Sequence, residues 1–340
     1  MSKEEPSTRM KLFFWFILGS LSVLFAEVVS GSQIYAFFVP VNWLMVFPLY
    51  ALHTLALWTL VFRYGRGRFY ALFPAGAIFG LYEAYITKVI WSPPWNENPV
   101  RFGGVAVVET MLLVLFWHAF MAFIVPLFIA ETCLTSSREI LGGLPQRVRK
   151  FIGSNRAPKL ICILVFMGGM FQSGGTPTPL DSLASGLLSS AFVGALIVVW
   201  NRRGGGSYSF RDLLPGPRGF KVILVLLALD YLALGVLLRP EMLPGLWAQA
   251  TVMIMYVFFG LLLRRGQSLS RLGDEDSYYP SSMDVSSRRI VFAAALFTAG
   301  SVVGNMMGVG LVVTLIVWIG GIILGLVSLG YTIRAHVMEN

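Results

Sequence analysis

Residues 309–333 read VGLVVTLIVWIGGIILGLVSLGYTI, a run of 25 residues without an acidic or basic side chain. A helix of about 20 apolar residues crosses the ~30 Å hydrocarbon core of a bilayer. Backbone groups inside lipid find no water to bind, so an unbroken apolar run of this length favours a helix that satisfies them internally. This segment therefore predicts a transmembrane helix.

Similar runs recur along the whole chain of 340 residues. The composition agrees, since 56% of the residues are hydrophobic and 13% are charged, whereas a soluble domain carries about 25% charged residues. The predicted spans are 11–30, 41–62, 69–90, 103–130, 159–174, 182–200, 219–238, 245–263, 290–306 and 309–333. The predicted fold class is all-α, a polytopic helical membrane protein of about ten transmembrane helices.

The segments between these spans are too short for a globular domain. We therefore expect residues 1–340 to form a single membrane domain with no separate soluble domain. Within it, residues 1–131 hold the first four helices and residues 159–334 hold the last six.

Basic residues alternate between the two sides of the predicted spans. One set of connectors, with both termini, holds 23 Lys and Arg residues, and the other set holds Arg101 and Arg239. Basic loops stay on the cytoplasmic side, so both termini are expected in the cytoplasm (N-in/C-in). The same rule accounts for the net charge of +9 without nucleic acid. We expect an integral protein of the plasma (cell) membrane, whose partners are the lipid bilayer and a small-molecule or ion substrate; the oligomeric state stays open.

Three glutamates stand inside predicted spans, where an ionisable side chain costs about 2.5–3.5 kcal/mol on insertion scales. At a rise of ~1.5 Å per residue, Glu27, Glu83 and Glu109 all reach a level roughly 21–24 Å above the cytoplasmic edge. Close carboxylates cannot all stay ionised in a medium of low dielectric constant, so such a group would hold protons or a cation. The sequence thus predicts a carboxylate site in the outer leaflet.

The third span carries Gly76, Gly80, Glu83 and Thr87 on one stripe, at i, i+4, i+7 and i+11. Small residues at this spacing let a second helix approach closely, so Glu83 and Thr87 are expected to face a neighbouring helix or a cavity. Lys88 follows directly and is expected to pair with one of the carboxylates. The predicted substrate- or ion-binding residues are Glu27, Glu83, Thr87, Lys88 and Glu109.

Four further polar residues are secondary candidates. Asp230 lies near the middle of the seventh span, and Gln172 opens the segment QSGGTPTP (172–179), which breaks the fifth helix. Freed carbonyls and hydroxyls at such a break can coordinate an ion, although the same composition describes an ordinary turn. His53 and His118 have compatible predicted heights, ~12 Å and ~8 Å above the cytoplasmic edge.

The two histidines leave one cofactor possibility open. They could ligate a haem b between two helices, although buried histidines more often bond to a neighbouring backbone. We therefore predict no cofactor, with haem b as the alternative. We also predict no metal site, because no spacing such as HExxH is present.

Three functions from different classes fit these residues. The leading prediction is a proton- or cation-coupled secondary transporter or permease, with Glu83 as the carrier, Glu27 and Glu109 as its partners, and Lys88 as a gate. One alternative is an intramembrane enzyme that acts on a lipid or lipid-linked substrate, with Glu83 or Glu109 as general acid/base. The other is a non-catalytic subunit of a membrane complex. The chain lacks GxSG, GxGD and HExxH motifs, which argues against the intramembrane proteases that carry them, and it lacks a Walker A motif, which argues against ATP hydrolysis by that route.

Overall fold

The computed structural model of this chain describes residues 5–272 and 286–338. Helices make up 77% of it, and within these ranges ten helices are long and apolar enough to cross a membrane. Numbered α1 to α10 in chain order, they are Thr8–Val28, Pro40–Tyr64, Phe69–Thr87, Val107–Leu134, Ala157–Gly175, Pro179–Arg202, Pro217–Leu237, Leu246–Ser270, Ser287–Met306 and Gly310–Met338. The predicted fold class is confirmed.

Side-chain capping marks where two of these helices begin. Ser7 Oγ accepts a hydrogen bond from the Met10 N–H at the start of α1 (3.3 Å). Thr178 Oγ1 accepts one from the Asp181 N–H at the start of α6 (3.1 Å). Pro179 occupies the first position of α6, where its missing N–H has no helical partner to lose.

A short hairpin between α3 and α4 replaces the predicted start of the fourth span. Strands β1 (Arg101–Phe102) and β2 (Val105–Ala106) pair antiparallel. Gly103 and Gly104 connect them with φ angles of 57° and 81°, as a two-residue type I′ turn requires. The helix therefore begins at Val107, four residues after the predicted start. Two short helices, Glu139–Gly143 and Gln146–Ile152, connect α4 to α5.

Two stretches of membrane helix are π-helical, Leu24–Val28 in α1 and Met111–Ile124 in α4. A π-helix joins residue i to residue i+5, so each turn is wider and each residue advances less along the axis. Heights counted with the α-helical rise are therefore wrong beyond Met111 in α4. This matters for His118, which lies inside the second stretch.

The contacts divide the described residues into two compact units. Unit 1 consists of 5–47, 126–214 and 286–319, and unit 2 consists of 48–125, 215–272 and 320–338. The units thus interleave along the chain, whereas the sequence-based grouping into 1–131 and 159–334 took the helices in order.

Glycines allow the closest helix contacts inside unit 2. A Cβ added to Gly76 of α3 would lie 2.7 Å from Ala119 Cα of α4, and one added to Gly80 would lie 2.8 Å from Val114 Cα. These distances are shorter than van der Waals contact, so the two backbones meet where no side chain separates them. The stripe that begins with Gly76 consequently faces α4.

Candidate functional site

Glu83 of α3 and His118 of α4 meet inside unit 2. Glu83 Oε2 lies 3.1 Å from His118 Nε2, and the two residues are 8% and 3% exposed. The contact follows from the glycine stripe, because Glu83 stands seven residues after Gly76 on the face that α4 covers. The stripe thus places a carboxylate against an imidazole.

The hydrogen bonds of His118 define what this pair can do. His118 Nδ1 lies 3.0 Å from Leu113 O, and a carbonyl oxygen only accepts, so Nδ1 carries a proton. Nε2 then either accepts from a protonated Glu83 or, as part of an imidazolium, donates to the Glu83 carboxylate. In both cases one proton lies between the two side chains. Tyr50 Oη lies 3.5 Å from the same nitrogen, at the outer limit of a hydrogen bond.

His53 of α2 belongs to the same group of side chains. It is 2% exposed, and its Nδ1 lies 2.5 Å from Leu49 O, so this nitrogen is the donor. Its Nε2 is buried and has no hydrogen-bond partner among the described residues. The imidazole stacks on the Phe79 ring, with 4.9 Å between the ring centroids, and lies edge-on to the Tyr82 ring, with 3.6 Å between the centroids.

These contacts do not fit the haem b alternative. An iron held between two histidines needs a free ring nitrogen from each, and His118 Nε2 faces Glu83. In addition, the Phe79 ring packs against both imidazoles, with its centroid 4.9 Å from that of His53 and 6.0 Å from that of His118. The two histidines are therefore neighbours of the glutamate site rather than the two sides of a haem pocket.

Asp230 of α7 adjoins this group through tyrosine side chains. The Tyr82 and Tyr231 rings lie 4.7 Å apart, and Tyr82 Oη donates to Leu227 O (2.6 Å). Asp230 is half-buried, and its Oδ2 has no hydrogen-bond partner in the described part of the chain. A buried oxygen without a partner is unfavourable, so this carboxylate is suited to a ligand that donates a hydrogen bond.

Glu109 stands in the first turn of α4 and is 3% exposed. Asn96 Nδ2 donates to its Oε1 (2.9 Å). The second oxygen, Oε2, is buried without a hydrogen-bond partner within residues 5–272 and 286–338. Glu109 therefore presents one oriented carboxylate oxygen.

Glu27 lies in unit 1, whereas Glu83 and Glu109 lie in unit 2. It occupies the π-helical turn of α1, is half-buried, and accepts a hydrogen bond at Oε2 from Ser32 Oγ. The convergence of the three carboxylates on one outer-leaflet cavity stays a prediction.

Lys88 differs from its sequence-based expectation. It ends α3 in the left-handed region, with φ 61° and ψ 14°, and it is fully buried. Its Nζ donates to Ile86 O (3.0 Å), to Gly235 O (2.6 Å) and to Leu238 O (2.6 Å). The expected partner was a glutamate, but the left-handed turn directs the ammonium to the last carbonyls of α7 instead.

Arg239 completes a reciprocal arrangement with Lys88. It follows α7, also in the left-handed region (φ 54°), and its Nη1 donates to Thr87 O at the end of α3 (3.3 Å). Each carboxyl-terminal helix end, which is the negative end of the helix dipole, thus receives a cation from the other helix. Burial, and secondarily the nearby Arg239, lower the pKa of Lys88. The Thr87 hydroxyl donates to Glu83 O (3.1 Å), which is a bond within its own helix.

Gln172 lies in the core of unit 1, directly before the 3₁₀ turn Ser173–Gly175 that ends α5. It is fully buried; Nε2 donates to Ser185 Oγ of α6 (3.3 Å), and Oε1 has no partner among the described residues. The helix break itself forms a hydrogen-bonded turn, in which Thr176 Oγ1 donates to Ser173 O (3.1 Å).

Sequence reasoning missed one buried carboxylate, Glu131. It is fully buried, with 0% of its surface exposed to solvent. Its carboxylate oxygens accept hydrogen bonds from the Ile140 N–H (2.9 Å to each oxygen) and from the Leu141 N–H (3.3 Å). The carboxylate thus anchors the short helix Glu139–Gly143. It directly follows residue 130, the predicted end of the fourth span, so the sequence placed it in the loop.

Comparison with known proteins gives a family without an activity. The model of an uncharacterized membrane protein family matches residues 16–338. An uncharacterized protein of Archaeoglobus fulgidus is 33% identical over 254 residues, which are 75% of this chain and 78% of that protein. No solved structure matches the chain. Because the family match extends over almost the whole length, the chain belongs to this family and is an integral, multi-pass membrane protein.

Proposed function

We propose that this protein is a proton-coupled secondary transporter and that its coupling proton binds between Glu83 and His118. The supporting observation is the 3.1 Å contact between Glu83 Oε2 and His118 Nε2, both buried within apolar helices. Ionisable groups are costly to place there, and helix packing alone does not require them. As part of the proposal, the protein lies in the plasma membrane with both termini in the cytoplasm.

The pair is neutral when it holds the single shared proton. Loss of that proton leaves a net negative charge, and gain of a second leaves a net positive charge. Burying either charge is expensive, so both charged states favour a conformation that admits water. Proton binding thereby biases a two-state equilibrium, which is the physical requirement for coupling.

The unpartnered atoms of unit 2 indicate the class of substrate. His53 Nε2, Glu109 Oε2 and Asp230 Oδ2 are buried without a hydrogen-bond partner among the described residues. All three are acceptors, His53 because its other ring nitrogen carries the proton. We infer a small substrate rich in hydrogen-bond donors, such as an amine or guanidinium compound.

Infrared titration of the purified protein tests the proton site without a substrate. A carboxylic-acid carbonyl band that titrates in the wild type should disappear in Glu83→Gln and shift in His118→Asn. The matched control is Glu97→Gln, which changes an exposed glutamate and should leave the band intact. A band that is unchanged in Glu83→Gln would refute the assignment.

Transport is measured with the protein in liposomes that contain a trapped pH-sensitive dye. Methylammonium, guanidinium and ethidium serve as probes, and at least one should move protons across the membrane when added outside. Glu83→Gln should abolish this flux without loss of folded protein, whereas Glu97→Gln should retain it. Flux at the wild-type rate in Glu83→Gln would exclude the proposed mechanism.

Glu109 favours a second candidate function, an intramembrane enzyme acting on a lipid-linked substrate. Asn96 fixes one oxygen of its carboxylate and leaves the other without a partner, as a general acid/base requires. Incubation of the protein with a lipid extract, followed by mass spectrometry, should then show a product that is absent with Glu109→Gln. Tolerance of both Glu83→Gln and Glu109→Gln would leave the subunit of a membrane complex as the function.

A further inference from the structure

The short helix Gln146–Ile152 (the connector helix) lies between the spans α4 and α5 and is amphipathic. With 3.6 residues per turn, its apolar side chains occupy one arc of about 100°: Val148, Phe151 and Ile152. Its basic side chains lie outside this arc: Arg147, Arg149 and Lys150. A helix with this division of apolar and basic residues is suited to lie in the plane of a membrane interface.

A hydrogen-bonded turn holds the connector helix close to the start of α5. The Gly153 N–H donates to Arg149 O (3.0 Å), and the Ala157 N–H donates to Ser154 O (3.1 Å). Only residues 153–156 separate the two helices, and five backbone steps reach at most ~18 Å. The connector helix therefore lies near the membrane surface at which α5 enters the hydrocarbon.

Two side chains of the apolar arc are exposed. Val148 is 42% exposed and Phe151 is 38% exposed. Apolar surface left in water is unfavourable, whereas the same surface is stabilised when it enters the boundary between headgroups and acyl chains. The sidedness of basic loops explains the arginines and lysines of this segment, but it does not explain apolar side chains that alternate with them at helical spacing.

The same segment carries a positive charge that no acidic side chain in it compensates. Five basic residues and no acidic one stand between Glu139 and Asp181: Arg147, Arg149, Lys150, Arg156 and Lys159. None of the five forms an ion pair with a described residue, and Glu139 is itself paired with Arg211 (2.7 Å). The start of α5, which is the positive end of its dipole, has no side-chain cap and adds to this charge.

We propose that the connector helix and the start of α5 bind the phosphate groups of anionic phospholipids, with Val148 and Phe151 inserted at the acyl-chain boundary. Clusters of about four to eight Lys and Arg beside a membrane helix attract anionic headgroups. Their long side chains keep the charge at the headgroups while the stems cover apolar surface. This surface belongs to unit 1 and makes no use of the Glu83–His118 pair, so this proposal and the transport proposal can fail separately.

Native mass spectrometry of the full-length protein in detergent tests the preference for anionic lipid. Phosphatidylglycerol and phosphatidylcholine with the same acyl chains are the two probes, and the Kd of each is measured. Phosphatidylglycerol should bind more tightly. Sodium phosphate should displace it no better than sodium chloride of equal ionic strength, because a free phosphate lacks the acyl chains.

A pair of matched double variants locates the binding surface. Arg147→Gln/Lys150→Gln removes two exposed cations of the connector helix and should weaken phosphatidylglycerol binding by roughly 30-fold. The control, Arg218→Gln/Lys221→Gln, removes an exposed arginine and lysine at the start of α7 and should keep the wild-type affinity. Both variants should melt like the wild type without added lipid, because none of the four side chains has an ion pair in the described part of the chain.

A nitrobenzoxadiazole label tests the insertion of the apolar arc. It is attached to Phe151→Cys or to Gln146→Cys, with both native cysteines replaced by serine, and the protein is placed in phosphatidylglycerol liposomes. Gln146 lies about 140° around the helix from Phe151. The label at residue 151 should emit at a shorter wavelength than the label at residue 146, which should emit as in water.

The opposite results would overturn the proposal. Equal Kd values for the two lipids would show that the surface does not select anionic headgroups. Equal weakening by the α7 control would mark a general effect of basic residues. Specific displacement by sodium phosphate would make this a site for free phosphate, and water-like emission from both labels would place the connector helix away from the lipid.

Discussion

Replacement of Lys88 by methionine removes the buried ammonium while keeping the length of the side chain. In the wild type, Nζ donates to Gly235 O of α7 and to Leu238 O directly after α7, both at 2.6 Å, and to Ile86 O at 3.0 Å. Lys88→Met leaves these carbonyls without that donor, and the two at the end of α7 have already lost their helical partners. We expect a clear loss of stability.

The size of the loss follows from opposing contributions. An unpaired buried carbonyl costs about 1–3 kcal/mol, so the two α7 carbonyls together cost about 2–6 kcal/mol. The methionine offsets part of this, because the wild type must bury an ammonium near Arg239. The expected net loss is about 3 kcal/mol, or about 4 °C in melting temperature for a chain of this length.

Tryptophan fluorescence during heating in detergent measures this difference. Lys159→Met is the matched control, because Lys159 is an exposed lysine at the start of α5 and should melt like the wild type. If Lys88→Met melted within a degree of Lys159→Met, the bonds between α3 and α7 would contribute nothing and the capping argument would fail.

Three further outcomes are expected. Gly76→Ala should lower stability by about 2 kcal/mol, because the new Cβ meets the α4 backbone at 2.7 Å. Gly260→Ala should raise stability by up to ~1 kcal/mol, because no atom of the described residues lies within 4 Å of the new Cβ. Equal effects of the two changes in a melting assay would contradict the packing. Cysteines introduced at Asn98 and Gly206, with the two native cysteines replaced, should label from the outside and from the cytoplasmic side respectively. The reverse sidedness would reject the N-in/C-in orientation, and labelling of both from one side would reject the ten-span topology. The pKa of Lys88 in the folded chain is lowered from 10.5, so the folded chain holds this proton more weakly than the unfolded chain. The stability of the wild type relative to Lys88→Met should therefore rise with pH, from the lowered pKa up to about 10.5. A stability difference that becomes smaller as the pH rises would contradict this prediction.

The ten spans were predictable because lipid imposes a minimum apolar length on every helix. The exact start of α4 was not. The residues of the hairpin, Gly103 to Ala106, are as apolar as the helix that follows, so hydropathy continues through the turn. The signal for the turn was the Gly103–Gly104 pair, which permits positive φ at both positions.

The face of Glu83 was predictable, and its partner was not. The Gly76–Gly80 stripe correctly indicated a face of close helix contact. The sequence-based heights nevertheless separated Glu83 from His118, because they began the fourth span at Gly103, four residues (about 6 Å) before the helix begins, and then assumed an α-helical rise through the π-helical stretch Met111–Ile124. No residue preference in that stretch distinguishes a π-helix from an α-helix.

The sequence indicated only some of the buried polar side chains of unit 1, which include Gln172, Ser185, Ser189 and Ser301. Ser182, Ser185 and Ser189 stand at i, i+3 and i+7, which places them on one helix face, and this spacing was an available signal. Gln172 was a candidate because it precedes the helix break. Ser301 carries no signal of its own, since its position beside Gly169 arises from packing between helices distant in sequence.

The reciprocal contacts between Lys88 and the end of α7 also bear on how the chain is made. Lys88 and Gly235 are 147 residues apart, so at about 5–20 residues per second a ribosome needs roughly 7–30 s to supply the missing carbonyls. Throughout this interval the ammonium has to stay hydrated at the membrane surface, and α3 cannot settle to its final depth. A nascent chain that stalls before α7 would therefore display an unburied lysine at the end of α3, a feature by which membrane quality control could distinguish it from the finished protein.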